Sequence, residues 1–433
     1  MRIGILPNTN RASGGVYQYS QSMLRALHEW KEAGCEDEFV VFTSSLQPPW
    51  HSSNGYHWEV KSLKIEEPPE SSSRQTINTL RSLVGEGPHR ELWRWLRKAA
   101  GRANTYSPKS RPGVTAQLKD SGVELMLYPE PDSIPFETDV PYVLAIHDLQ
   151  HRLHPEFPEV SANGEWDWRE YVFRNGARYG TLLLADSEVG KEDILNFYGP
   201  YGVTPDRVKV LPFIPASYLV PEVPETEQQR VRKLYQLPDR YLFYPAQFWP
   251  HKNHKRLVQA LGLLKETRGL EIAIAFCGSY TGEIRAGIFQ EVKSIAARMR
   301  IDKQLHYLGY VPDEDMSGIY GGAVALTMPT FFGPTNIPVV EAWAFGCPVL
   351  TSDIRGIREQ ARGAAMLVDP TSVESIADGI YQLCTNDSLS KGLIAGGRER
   401  LTAYTPADYR QKLIGIIEEA KGRLEHGTRR ANR

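Results

Sequence analysis

The sequence predicts an α/β protein made of two doubly wound, parallel-sheet domains that face each other across a cleft. Three observations predict it. A chain of 433 residues exceeds what one hydrophobic core usually supports, so two domains of roughly 200 residues each are expected. Short apolar runs of strand length alternate with helical stretches, and that series starts twice. Between the two series lies PASYLVPEVPETEQQ, residues 215–229, whose proline and glutamate content reads as a linker.

The first series opens with RIGILP at 2–7, a buried strand, followed by the polar NTNRASGG. A helix is predicted next, with Val16, Tyr19, Met23, Leu24 and Leu27 at helical spacing, and then EFVVFTS as a second strand. Further strands are predicted at 123–128, 142–146 and 181–185, and a first domain over 1–215. The second series has strands at 241–246, 271–278, 304–310, 322–329 and 347–353, giving a second domain over 226–405. Helices are predicted at 373–386 and at about 406–421, the latter within a 406–425 segment positioned to cross back to the first domain. The terminal HGTRRANR reads as frayed.

Composition excludes several classes. Charged residues make up 24% and hydrophobic residues 41%, ordinary globular usage that argues against a disordered or fibrous chain. A net charge of -2 offers nucleic acid no global attraction. Cys35, Cys277, Cys347 and Cys384 are scattered without zinc spacing and read as reduced thiols. The apolar start breaks at Pro7, too soon for a signal segment, and no run approaches the roughly 20 apolar residues of a membrane span. A cytoplasmic protein is expected, with peripheral contact at the inner membrane face left open.

Ligands of open parallel sheets bind beyond the carboxyl ends of the strands, so the loops there carry the chemistry. SGGV at 13–16 lets backbone amides approach an anion or sugar at a helix start, or is simply a flexible helix entry. AIHDLQHRLHPEFP places His147 at a strand end, facing the cleft. A metal site is disfavoured because no helical i, i+4 pairing fixes the histidines. Asp148 is expected to shape the turn or hold His147, and His151 and His154 to be surface or helix-cap groups.

PAQFWPHKNHKRL at 245–257 sets Lys252 just before a helix beginning near His254, where a point charge and amide dipoles both favour a phosphate. The alternative is a solvated surface lysine. In PTFFGPTNIPVVEAWAFGCPVLTSD, Pro338 starts a short helix and Gly346 stops it. Glu341 lies one turn in, among Val339, Val340, Ala342 and Trp343, where an unpaired charge is expensive. Its partner is either a pair of vicinal ribose hydroxyls or a structural cation.

Together the GG loop, IHDLQH with PEF, ADSEVGKEDILNFYG with DRVKVLP, FWPHKNH, LHYLGYVPDEDM and NIPVVEAWAFGCPVLTSD resemble the retaining GT-B glycosyltransferases of family 4, the group 1 transferases. The resemblance spans nearly the whole chain. It implies the GT-B fold, with an acceptor-side first domain and a nucleotide-sugar-binding second domain. It implies that Glu341 binds the nucleotide ribose, Lys252 the diphosphate, and His147 the transferred sugar, with Gly14 and Gly15 on the phosphate and acceptor side. The expected activity is transfer of a hexose-type sugar from a nucleotide diphosphate sugar to a saccharide, lipid-linked or small-molecule acceptor. Polysaccharide or glycoconjugate biosynthesis is the expected setting.

Two positions depart from the family pattern. The first of its two glutamates would fall at Gly333, and an arginine that partners the lysine would fall at Gln247. The resemblance then leaves the diphosphate to Lys252, the amides near Pro334 to Ile337 and an arginine from elsewhere, with Thr335 and Asn336 reading donor hydroxyls. The donor-side set is thus Gly14, Gly15, Gln247, Lys252, Gly333, Pro334, Thr335, Asn336 and Ile337, and the catalytic set His147, Lys252 and Glu341. No cofactor or metal is expected, since no DxD-type acidic pair lies on a cleft loop. The alternatives are a GT-B sugar-nucleotide epimerase, against which the missing carboxylate at Gly333 speaks, and a nucleotide-sugar-binding protein without turnover.

The stretch 74–119 carries ten basic residues against Glu86 and Glu91. Within it ELWRWLRKAAGR puts Leu92, Trp93, Leu96 and Ala100 on one helical face, flanked by arginines. It is either a helix packed on its own domain or, over 89–103, an interfacial helix for an anionic membrane or acidic acceptor.

Overall fold

The computed structural model describes residues 1–44, 57–65, 106–216 and 223–431. The segment 89–103 lies outside the described residues. Two sheets organise the chain, both wholly parallel between neighbours. The first has the order β3-β2-β1-β4-β5-β6-β7 and the second β10-β9-β8-β11-β12-β13.

In the first sheet the strands are β1 Arg2–Ile5, β2 Glu38–Ser44, β3 Glu59–Leu63, β4 Leu125–Tyr128, β5 Tyr142–Ala145, β6 Leu182–Ala185 and β7 Val208–Val210. In the second they are β8 Tyr241–Pro245, β9 Ala273–Cys277, β10 Leu305–Gly309, β11 Ala325–Met328, β12 Val349–Ser352 and β13 Met366–Val368. β4, β5, β6 and β11 are buried at every residue. That is why they read as short continuous apolar runs, since helices cover both faces of a parallel sheet.

The elements that the sequence hides are those with one wet side. β3 has the burial of an edge, with Glu59 and Val60 exposed and only Leu63 fully buried, and shows no apolar run. β7 and β13, of three residues each, are too short to announce themselves. The linker reading needs correction, because a helix, Glu225–Leu234, begins within it and runs on beyond its end. Pro224 precedes its first turn, Glu225 and Glu227 face the positive end of its dipole, and Arg232 and Lys233 close the negative end. The helix from Pro406 likewise continues to Ala431, beyond the expected stop.

One core fills the second domain, and two cover the faces of the first sheet. On one of those faces Ile3, Ile5, Met23 and Leu27 meet Tyr409, Leu413, Ile416, Ile417 and Ala420 of the last helix. That helix therefore leaves the second domain and completes the core of the first.

Strand order reverses direction between β1 and β4 in one sheet and between β8 and β11 in the other. A crevice opens outside the carboxyl ends at such switch points. The loops leaving β1, β4, β8 and β11 are those that carry Gly14 and Gly15, Pro129, Lys252, and the 329–337 segment.

Candidate active site

The 246–253 loop is immobilised before any ligand arrives. After β8 the chain makes a tight turn over Pro250–Lys252, and Asn253 takes the left-handed conformation at φ 60°. Asparagine tolerates that region better than most residues. Its amide nitrogen donates to the carbonyls of Pro329 and Pro370, each at 2.8 Å. The Tyr244 hydroxyl donates to the Lys252 carbonyl at 2.6 Å, and the Thr330 hydroxyl to the His251 carbonyl at 3.0 Å. His254 is buried between the rings of Tyr244 and Phe248, which pushes its pKa down to about 3. The helix His254–Arg268 then begins directly behind Lys252. Withdrawal from water lowers the Lys252 pKa to about 8, against the pull of Asp148 and Glu159 across the cleft.

The second loop lies against the first domain. Thr335 donates its hydroxyl to Asp186 Oδ2 at 2.6 Å. A Cβ on Gly15 would stand 3.3 Å from Ile337 Cδ1, so the GG loop faces this segment closely. Pro334 lines a small cavity with Ile146, Asp148 and Leu149. Gly333 sits at φ +128°, a conformation that a side-chain-bearing residue adopts only with strain. The loop backbone here is thus built for the glycine and not for a glutamate.

Gln360 holds Asn336 from both sides, accepting its amide hydrogen at 3.0 Å and donating to its carbonyl at 2.9 Å. The Asn336 amide is consequently spent, which removes it from the expected row of diphosphate-binding amides. Its side chain is different. Asn336 is buried, and its Nδ2 has no hydrogen-bond partner among the described residues.

Glu341 occupies the first turns of the helix Ile337–Ala344 and is 4% exposed. The Tyr320 hydroxyl donates to its Oε2 at 2.8 Å. Tyr320 is in turn fixed by Phe243 edge-on at 4.9 Å and Phe345 stacked at 5.4 Å. A neutral hydroxyl thus supports one oxygen of this buried carboxylate.

His147 follows β5 and places Nε2 2.8 Å from the Pro129 carbonyl. A carbonyl only accepts, so Nε2 carries hydrogen, and burial holds the pKa low enough to keep the ring neutral. Tyr19 meets the ring edge-on at 4.7 Å. Asp148 shapes the turn by accepting the Gln150 amide hydrogen at 3.0 Å.

The surface expectation for His151 is wrong. His151 is fully buried, stacked on Phe173 at 5.3 Å, with Nε2 3.3 Å from Glu170. The buried Glu170 carboxylate needs donors, and His151, Arg152 and Tyr198 surround it. His154 does lie near the surface and stacks on Phe332 of the other domain at 5.6 Å.

Further contacts hold the domains together. Glu159 accepts both the backbone N–H and Nδ1–H of His251, at 2.9 and 2.7 Å. Burial drops the His251 pKa to about 4, so the ring is a neutral donor there. Glu359 accepts the Glu188 and Val189 amides at 2.9 and 3.0 Å, a carboxylate on the N-terminus of the helix Glu188–Tyr198. Sequence reasoning missed Tyr320, Glu359 and Gln360, whose partners lie far along the chain. Among the described residues no three His, Cys, Asp or Glu side chains cluster as a metal site would require.

The fold and this paired switch-point cleft define a GT-B protein. Residues 225–400, the part that holds Lys252 and Glu341, match the family of glycosyl transferases group 1. O-antigen chain mannosyltransferase B of Escherichia coli is 29% identical over 232 residues, 53% of this chain and 58% of that protein. Mannosylfructose-phosphate synthase of Agrobacterium fabrum is 20% identical over 384 residues, covering 84% of this chain and 82% of its own. Two solved structures share the fold along nearly their whole length. Sucrose-phosphate synthase from Thermosynechococcus elongatus superposes with TM-score 0.69 at 14% identity, covering 98% of this chain and 99% of its own. Anabaena HepE in complex with UDP and glucose gives TM-score 0.67 at 13% identity, over 96% and 99% respectively.

Proposed function

We propose that the protein is a retaining glycosyltransferase that moves a hexose-type sugar from a nucleotide diphosphate donor to a saccharide or lipid-linked acceptor in glycan biosynthesis. One observation carries the reading. Within a group 1 transferase domain, a desolvated Lys252 is locked at a helix start facing the first domain's 147–148 loop. As the bond between the anomeric carbon and the diphosphate breaks, negative charge grows on the leaving oxygen. A preorganised cation and helix amides in a site shielded from water stabilise that charge without reorganising. Glu341, held by Tyr320, takes the ribose hydroxyls.

Neutral His147 stands beside the transferred sugar, and the unpartnered Nδ2 of Asn336 donates to one of its oxygens. Retention follows from same-face attack by the acceptor, whose proton passes to the departing phosphate oxygen. The protein supplies no nucleophile. Lys252 does the electrostatic work that a divalent cation would otherwise do, so turnover needs none.

Incubation with radiolabelled GDP-mannose, UDP-glucose and their relatives, with saccharide and lipid-linked acceptors, tests the reading. Labelled product of retained anomeric configuration, formed equally well in EDTA, is expected. Loss of all activity in EDTA with rescue by magnesium or manganese would overturn the metal-free mechanism. Donor epimerised without transfer would replace the activity itself.

A further inference from the structure

We infer that Arg285 is a second cation for the donor's diphosphate, placed on a different element from Lys252 and aimed by Gln247 and Trp249. The inference rests on the nucleotide-sugar reading above. Arg285 lies in the first turn of the helix Glu283–Met299, which follows β9 and packs on the turn containing Lys252. Its Nη1 donates to Gln247 Oε1 at 2.6 Å. The guanidinium lies over the Trp249 ring, 4.6 Å from its centre. Trp249 Nε1 donates to the same Gln247 oxygen at 3.0 Å, so the three side chains form one group, Gln247 and Trp249 from the loop after β8 and Arg285 from the helix after β9.

That group has no structural need of a cation. A positive charge in the first turn of a helix opposes the helix dipole. Among the described residues no carboxylate pairs with Arg285; other arginines of this domain without one, such as Arg240 and Arg256, donate to backbone carbonyls instead, whereas Arg285 is held by a side-chain amide and an indole face. A neutral carbonyl and an aromatic face orient the guanidinium while leaving its charge uncompensated and most of its N–H groups unused. Such a planar fork matches a phosphate, which accepts two parallel hydrogen bonds.

The backbone places this group at the carboxyl end of the second sheet. Gly278, after β9, has φ +145°, and a Cβ there would meet the Ala246 carbonyl carbon at 2.6 Å and the Gln247 nitrogen at 2.8 Å. The β9 loop therefore presses directly on the loop that carries Gln247 and Lys252, at the carboxyl ends of adjacent strands. On this inference a diphosphate at the carboxyl ends of β8 and β9 meets the Lys252 ammonium from one element and the Arg285 fork from another.

The test is calorimetric titration of UDP, GDP and ADP, each against its own monophosphate. Wild type is expected to prefer at least one diphosphate. Arg285→Gln should weaken that diphosphate roughly ten- to hundredfold while changing the monophosphate by less than about threefold. Because the guanidinium touches the Gln247 side chain, Gln247→Arg combined with Arg285→Gln returns a cation to the same spot and should recover most of the preference. A preference left intact in Arg285→Gln overturns the inference. So does equal loss of both ligands, which marks a packing role, or a double variant no better than the single one. If wild type binds no nucleoside diphosphate at all, the nucleotide-site reading falls and this inference with it.

Discussion

At the scale of single residues, the site turns on how charges are desolvated and held. Lys252 has its pKa lowered to about 8, so the ligand-free ammonium is present below pH 8 and progressively lost above it. A diphosphate binds the protonated form. Donor affinity should therefore be flat from pH 6 to 7.5 and fall about tenfold per unit beyond pH 8, until the proton must be supplied at full cost. Titration calorimetry of the nucleoside diphosphate across pH 6–10 measures it, and a flat profile would show that Lys252 does not contact the phosphate. Lys252→Ala and Glu341→Ala should each lower kcat/KM at least about tenfold. Tyr320→Phe removes the hydroxyl on Glu341 Oε2 and should cost about 1–3 kcal/mol in stability while raising the donor KM. Urea denaturation and donor kinetics on the same variant separate the two effects.

At the scale of elements, the 333–337 loop is held by a helix that the sequence never advertised. Gly356 lies in the first turn of the helix Arg355–Ala361, and a Cβ there would stand 2.5 Å from Pro334 Cα. Gly356→Ala must push Pro334, and with it Thr335 and Asn336, off their places. Overpacking of this kind typically costs 1–3 kcal/mol. Turnover should drop by an order of magnitude or more with the fold retained, as circular dichroism and kcat on one preparation would show. The same contact explains what was legible. Lys252 and Glu341 stood out because their strangeness is local, a cation at a helix start and an acid in an apolar helix. Gly356, Gln360, Tyr320 and Arg285 act on residues 20 or more positions away, and no periodicity or spacing records such a meeting. Strands divided the same way. β6, LLLA, is buried throughout and reads as a strand, while β3 mixes Glu59 and Lys61 into an edge and does not.

At the scale of the molecule, two sheets legible from their alternation with helices meet through polar contacts, Asp186 with Thr335, Glu159 with His251, Glu359 with a helix end and Arg355 with Asp193, and through one aromatic cluster in which His154 and Phe157 meet Phe331 and Phe332. Polar contacts across a cleft exchange readily with water, which suits domains that separate to admit a donor. A more deeply buried apolar attachment lies in the last helix. Ile417 is 0% exposed in the core of the first domain. Ile417→Ala should cost about 2–5 kcal/mol there. Its unfolding is expected to begin in the first domain, seen by hydrogen exchange as loss of protection in β1 and β4 before β8 and β11. Simultaneous loss in both sheets would mean that the helix clamps the whole molecule.

That same helix sets an order on the making of the protein. β7 ends at Val210 and the helix begins at Pro406, so roughly 200 residues are synthesised after the first sheet before its missing face arrives. At about 5–20 residues per second a ribosome needs some ten to forty seconds for that span. During this interval Ile3, Ile5 and Leu27 lack the cover of Leu413 and Ile417. The second domain, whose strands and core are contiguous in the chain, can close first. A nascent chain of this architecture matures from its middle outward, and its opening strands stay exposed to chaperones for longest.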